Sequence, residues 1–217
     1  MSKLTLIIGN KNYSSWSLRP WVFMKYHQIE FDEKKILLHT ETTNVELSQY
    51  YSGTKVPVLK DGDLEVWDSL AILEYVSEHY CESSGWPREA SARAVARSIS
   101  AEMHSSFANL RSELPMNCRK QFNHINLSIE AAEEVTRVKE VWRICRTQFG
   151  RSGEWLFGEY SIADAMFAPI ALRFNGYSIP LEGIEKNYVQ SVLDQPCIIE
   201  WMAGAKAEKE IIESQEM

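Results

Sequence analysis

The sequence predicts a small α/β domain followed by an all-helical domain. Three observations lead there. The first eighty residues alternate strand-like and helix-like segments. A break rich in Ser, Gly and Pro follows, "CESSGWPREAS" from Cys81 to Ser91. Beyond it, apolar residues recur only at three- and four-residue spacing. The expected division is residues 1–80 for the α/β domain, 81–90 for the linker and 91–217 for the helical domain.

Each element has its own signal. "KLTLII" is rich in strand formers and reads as the first strand. "SWSLRPWVFMKYHQ" reads as a helix, with Pro20 expected near its first turn, where a missing N–H costs little. "FDEKKILL" is a second strand, and "TNVELSQYY" a short helical or irregular crossover. "VPVLKDGDLEVW" is a hairpin, two short apolar runs around the turn-forming pair Asp61-Gly62. In "DSLAILEYVSEHY", Leu70, Leu73, Val76 and Tyr80 fall on one helical face. The order βαβαββα implies a mixed four-stranded sheet: a parallel, right-handed unit with an antiparallel hairpin at its edge. Two long amphipathic helices follow the linker. One carries Val95, Ile99, Met103, Phe107 and Leu110 up to Pro115; the other carries Leu127, Ala131, Val135, Val138, Trp142, Cys145 and Phe149. Shorter helices complete an α-bundle. The charged tail "AEKEIIESQEM" is expected to be loose at its end.

The 217 residues suffice for a substantial core, and 45% apolar with 24% charged residues is ordinary for a globular protein. The formal charge of −7 disfavours nucleic acid as a general partner. No apolar run approaches the ~20 residues needed to span a bilayer, and the N-terminus lacks the apolar region of a signal peptide. A cytoplasmic protein is expected. Cys81, Cys118, Cys145 and Cys197 lie far apart and the five histidines form no ligand cluster, so reduced thiols and no metal are expected.

Three stretches could carry chemistry. In "KVPVL", Lys55–Leu59, an ordinary trans proline at an edge strand is the commoner reading, since cis is only ~5–6% of X–Pro bonds. A cis bond would turn the backbone of Val56 outward to pair with an extended peptide. In "WDSLAILEY", Ser69 is a candidate N-cap of the following helix; its hydroxyl and the helix end suit a carboxylate, and Asp68 suits an ammonium group. In "NYSSWSLRPW", Ser14 and Ser15 stand where the first strand hands over to the first helix. They either cap that helix or hold a thiolate, which helix N–H groups and a hydroxyl donor both favour. Taken together, the three describe a short peptide with a free α-amino acid end and a thiol; glutathione fits.

These motifs resemble the cytosolic glutathione S-transferases over nearly the whole chain. "KVPVL" looks like the family's cis-proline motif, "DSLAILEYV" like its γ-glutamyl-binding motif with Asp68 in place of Glu, and "SIADAMFAPI" like its capping box, with Ser161 and Asp164 as folding elements. "YSSWSLRPW" is similar to the S-S-x-S-x-R stretch of zeta-class enzymes, which include maleylacetoacetate isomerases; Trp16 stands where those enzymes carry a cysteine. The resemblance implies a thioredoxin-like N-terminal domain and glutathione as co-substrate. It assigns Ser14, with Ser15 next in line, to the thiolate; Tyr13 is weighed as the alternative because several classes use a tyrosine. It gives Val56, Pro57, Asp68 and Ser69 to glutathione, with His39 and Lys55 as candidates for its glycine carboxylate. Arg19 either makes a structural ion pair or shapes the site. Trp16, Met103, His104, Phe107 and Arg111 are candidates for the pocket of an apolar electrophile. The implied activity is glutathione transfer to that electrophile. The alternatives are cis–trans isomerisation of an unsaturated diacid, or a non-catalytic glutathione-binding scaffold. A homodimer is implied, with no nucleic acid or membrane partner.

Overall fold

The computed structural model of the chain describes residues 4–82, 84–123 and 125–216; Ser83 of the expected linker and His124 lie outside the described residues. Strands β1 (Leu4–Ile8), β2 (Phe31–Lys35), β3 (Val58–Asp61) and β4 (Leu64–Trp67) form one mixed sheet in the order β2-β1-β3-β4. β1 runs parallel to β2, with Leu4 opposite Phe31, and antiparallel to β3, with Leu6 opposite Leu59. The hairpin closes with Asp61 opposite Leu64, and Gly62 takes a φ of +59°, which a Cβ would oppose. The parallel β1–β2 connection is helix α1 (Ser15–Tyr26). A short helix α2 (Thr43–Ser48) follows β2, and α3 (Ser69–Tyr80) follows the hairpin. This is the expected thioredoxin-like arrangement.

The helical part comprises α4 (Ala90–Ser105), α5 (Ala108–Glu113), α6 (Ile129–Gln148), α7 (Ile162–Gly176), α8 (Gly183–Asp194) and α9 (Pro196–Ala207). Helix α7 is central. Every residue of it except Asn175 is buried, and it packs against α1, α4 and α8. One hydrophobic cluster therefore runs from the sheet through the bundle, joining Leu6, Ile8 and Phe23 to Trp142, Phe167 and Trp201. Among the described residues no helix is long and apolar enough to cross a membrane.

Four local expectations are corrected. Pro20 lies well inside α1, not near its first turn, so the carbonyl of Trp16 lacks its usual helical donor. The helix expected to run from Val95 to Pro115 breaks at Ser106 and Phe107: Ser106 is extended and Phe107 sits at φ +61°. The second piece, α5, starts because Glu134 of α6 accepts from the backbone N–H groups of Asn109 and Leu110, a cap from a distant element that periodicity does not reveal. The N-cap of α3 is Asp68, not Ser69; its carboxylate accepts from the N–H groups of Leu70 and Ala71, and Ser69 becomes the first helical residue. Finally, the charged tail is pinned. Glu208 accepts from the N–H groups of Lys11 and Asn12, and Arg119 donates to the carbonyls of Glu208 and Glu210.

Helix α7 begins at Ser161. Asp164 accepts from the Ser161 N–H (2.9 Å) and hydroxyl (3.0 Å) and, with its other oxygen, from the Leu156 N–H (3.0 Å). Burial pushes its carboxyl up to about 6 despite those bonds. Replacing it strands buried donors, so Asp164→Ala is expected to destabilise the protein by about 2–4 kcal/mol in urea unfolding. A change below 0.5 kcal/mol would show that the start of α7 does not depend on it.

Candidate functional site

The cleft that gathers the predicted residues lies along one end of the sheet and has a volume of about 910 Å³. Helix α2 lines it through Thr43, Asn44 and Leu47, and four further segments contribute to its walls. The start of α1 contributes Trp16; the β2–α2 connection contributes Leu38, His39 and Thr40; the segment before β3 contributes Lys55, Val56 and Pro57; and the β4–α3 junction contributes Trp67, Asp68 and Ser69. The Val56–Pro57 peptide is cis. Pro57 is buried and Val56 half-buried, whereas His39 and Lys55 are exposed on the rim. A second cavity of comparable size, about 920 Å³, lies at the far end of α3 and includes none of these residues.

Ser69 and Asp68 have exchanged the tasks their order suggests. Because Asp68 caps the helix, the Ser69 hydroxyl is released from capping. It is fully buried and accepts a hydrogen bond from Arg19 Nη1 at 3.3 Å. The second carboxylate oxygen of Asp68 meets His104 Nε2 of α4 at 2.6 Å, a direct tie between the sheet end and the bundle.

The hydroxyls before α1 are held differently from one another. Ser14 precedes the helix but makes no side-chain cap; its Oγ donates to Ser17 Oγ at 2.7 Å, and Ser17 also accepts from the Gly9 N–H at 3.1 Å. Ser15 Oγ accepts from Arg173 Nη2 of α7 at 3.3 Å. Both serines are buried, and neither lines the cleft. The Tyr13 hydroxyl is turned to the chain's end: it donates to Glu216 and accepts from Arg119 and the Ile212 N–H.

The residues proposed for the electrophile divide. Met103 and Phe107 are buried in the hydrophobic core. Trp16 lines the cleft, and His104 and Arg111 surround it, His104 edge-on with 5.3 Å between ring centroids and Arg111 with its guanidinium 5.4 Å from the ring. Arg19 lies on the ring at 4.1 Å and makes no ion pair within 4.0 Å among the described residues. Sequence reasoning missed Arg173 altogether. Its one visible signal is a cation closing the apolar run "AMFAPIALRF".

With the cleft in view, the comparisons with known proteins are informative. Residues 13–79 match the family described as Glutathione S-transferase, N-terminal domain. That segment includes Ser14, the Val56–Pro57 peptide and the Asp68–Ser69 pair. Two curated relatives are dichloromethane dehalogenases. That of Methylophilus leisingeri is 42% identical over 67 residues, covering 30% of this chain and 25% of that protein. That of Methylorubrum extorquens is 35% identical over 66 residues, covering 30% of this chain and 23% of that protein. The match thus spans about a quarter of the length of these relatives. Among solved structures, a glutathione transferase homologue from Burkholderia, with bound glutathione, superposes with a TM-score of 0.70 at 20% identity, covering 96% of this chain and 100% of that one. A glutathione S-transferase from the clam Laternula elliptica gives a TM-score of 0.67 at 22% identity, with 96% of each chain covered. Residues 13–79 thus match that N-terminal domain family, and the chain as a whole has the fold of the glutathione transferase structures.

Asp68 holds both a helix start and an interdomain contact. Asp68→Ala is therefore expected to lower stability by about 1–2 kcal/mol, while Asp68→Ser, which keeps a capping oxygen, should recover more than half of the loss. Equal losses in thermal or urea unfolding would mean that the cap contributes little.

Proposed function

We propose that the protein is a glutathione transferase that binds glutathione along this cleft and presents its thiolate to an electrophile at the junction of sheet and bundle. The observation that carries the reading is the convergence of Val56–Pro57, Asp68 and Ser69 on one cleft within the segment that matches the family's N-terminal domain. In this reading the γ-glutamyl carboxylate lies against the Ser69 hydroxyl, which Arg19 supports from behind. The ammonium group takes the Asp68 oxygen now held by His104. The Val56 backbone pairs with the cysteinyl unit, and the glycine carboxylate reaches the rim residues His39 and Lys55. Solved neighbours with bound glutathione support the choice of ligand.

The sulfur then approaches the start of α1. Gly9 N–H donates to Ser17, which leaves the Ser17 proton free to turn to Ser14, and the Ser14 proton free to turn to the sulfur. A thiolate at that position gains a donor and the field of the helix end, both of which lower a thiol from its free value of ~8.5. Ser15 is tied to Arg173 and Tyr13 to the tail, which favours Ser14 and a serine-type, zeta-like site. The bond made is carbon–sulfur and the group displaced leaves as an anion; the dehalogenase relatives favour substitution at a halogen-bearing carbon as the first reaction to try. The isomerase alternative uses the same thiolate and is distinguished by regenerating free glutathione with no leaving group. The reading also takes the protein as a cytoplasmic homodimer, in line with four free cysteines and an exposed Trp67 on the edge strand β4.

Two substitutions test this. Ser14→Ala is expected to lower turnover on the order of 10²-fold and to return the bound thiol, followed by ultraviolet absorbance against pH, to its free value, with glutathione affinity changed far less. Turnover equal to wild type would remove Ser14 from that role. Ser69→Ala is expected to weaken glutathione binding about tenfold or more in calorimetry, because a hydrogen bond to a charged group is lost; unchanged affinity would place the carboxylate elsewhere.

A further inference from the structure

Among the described residues that line the cleft, Asp68 is the only acid. It is therefore the one carboxylate there for a positively charged group, and both its oxygens are already in use. Oδ1 accepts from the Leu70 and Ala71 N–H groups at 2.8 and 3.4 Å, which fixes the carboxylate at the start of α3. Oδ2, the oxygen left over, meets His104 Nε2 of α4 at 2.6 Å. The imidazole also stands edge-on to Trp16, with 5.3 Å between ring centroids. Asp68 and Trp16 both line the cleft, so His104 covers the acceptor from the helical side.

One partner of this contact is fixed and the other can move. Both side chains are partly solvated, His104 32% and Asp68 39% exposed, so the bond between them is weak. His104 is the penultimate residue of α4, and its backbone carbonyl is held separately by Arg111 Nη1 at 3.4 Å. The ring can swing off Asp68 while the end of the helix stays in place. Asp68 cannot follow it, since that would uncover the two N–H groups at the start of α3.

We infer that His104 is a resident competitor for the ammonium group of glutathione: it occupies the Asp68 oxygen until the γ-glutamyl end arrives, and so sets the affinity of the site. This rests on the glutathione-binding reading and adds to it a residue of the helical bundle that controls occupancy. An ammonium group brings three donors and a full charge, so it displaces an imidazole from one carboxylate oxygen. Its gain is reduced by the bond that has to be broken first. Displacement also frees the imidazole at the edge of Trp16, so the helical wall registers whether glutathione is bound.

The test uses S-methylglutathione and N-glutaryl-S-methylcysteinylglycine, which differ only by the ammonium group. Both are titrated calorimetrically into the full-length protein and into its His104→Ala and His104→Gln variants. S-methylglutathione is expected to bind His104→Ala about three- to tenfold more tightly than wild type, and the des-amino ligand to change less than about twofold. His104→Gln, which keeps a neutral donor, should show a smaller gain in the same direction. A purely structural role for His104 predicts the opposite sign, because a loosened start of α3 weakens both ligands. Unchanged or lower affinity for S-methylglutathione overturns the inference while leaving glutathione recognition intact, and so does an equal gain for both ligands. Where the des-amino ligand binds too weakly to measure, the sign of the S-methylglutathione change decides. A crystal structure of the wild type with S-methylglutathione needs no variant to fold: His104 is expected away from Asp68, and a retained hydrogen bond between them overturns the inference. Failure of both ligands to bind any form overturns the glutathione reading and the inference together.

Discussion

Helix α7 is buried on nearly every side, and the position of the site depends on that burial. A helix in this setting has almost no polar face to give to water, so apart from the exposed Asn175 its sequence is apolar all round, with two enclosed exceptions. Asp164 at its start is fully enclosed and gathers three hydrogen bonds that fix where the helix begins. Arg173, about two and a half turns further on, is enclosed too and reaches Ser15 at the start of α1. Fixing one end of α7 therefore fixes the other, and with it the place where the helical bundle meets the cleft end of the sheet. The same element that closes the core carries a cation to the start of α1.

That cation is held without a counter-ion by contacts of modest strength. Arg173 has a carbonyl and a hydroxyl; Arg19 has a hydroxyl and the face of Trp16; Arg111 has the His104 carbonyl and the other flank of the same indole. Each contact offsets part of the desolvation of one guanidinium, and none offsets the repulsion among the three. The three guanidinium groups near the start of α1 are thus held by neutral partners alone, with no carboxylate within 4.0 Å among the described residues.

Much of this architecture was legible in the sequence because its causes are local. Asp61-Gly62 between short apolar runs specifies a hairpin, and the repeat of Leu70, Leu73 and Val76 specifies the face of α3. The features that were not legible have causes elsewhere in the chain. The break at Ser106 and Phe107 depends on Glu134, some thirty residues away, offering its carboxylate to the start of α5. The choice of Asp68 over Ser69 as the cap depends on a backbone at φ +75°, which no pattern of residue types announces. The pinned tail depends on Lys11, Asn12 and Arg119 receiving it. Of the arginines near the start of α1, Arg19 and Arg111 were already candidates in the sequence, whereas Arg173 was not: it is a single cation within α7, and only packing brings it to Ser15.

The three hydroxyls at the start of α1 show why composition alone could not rank them. Tyr13, Ser14 and Ser15 are adjacent in sequence and all buried, yet each is committed to a different part of the molecule. Tyr13 faces the C-terminal tail through Glu216 and Arg119, so using its hydroxyl on a ligand would mean dismantling that contact. Ser15 is an acceptor for Arg173 and shares in holding α7 against α1. Ser14 alone sits in a chain of hydroxyls whose direction can reverse without moving a heavy atom, because Ser17 is already supplied with a donor by Gly9. A hydroxyl that can redirect its proton at so little cost is the one suited to the thiolate role proposed for Ser14.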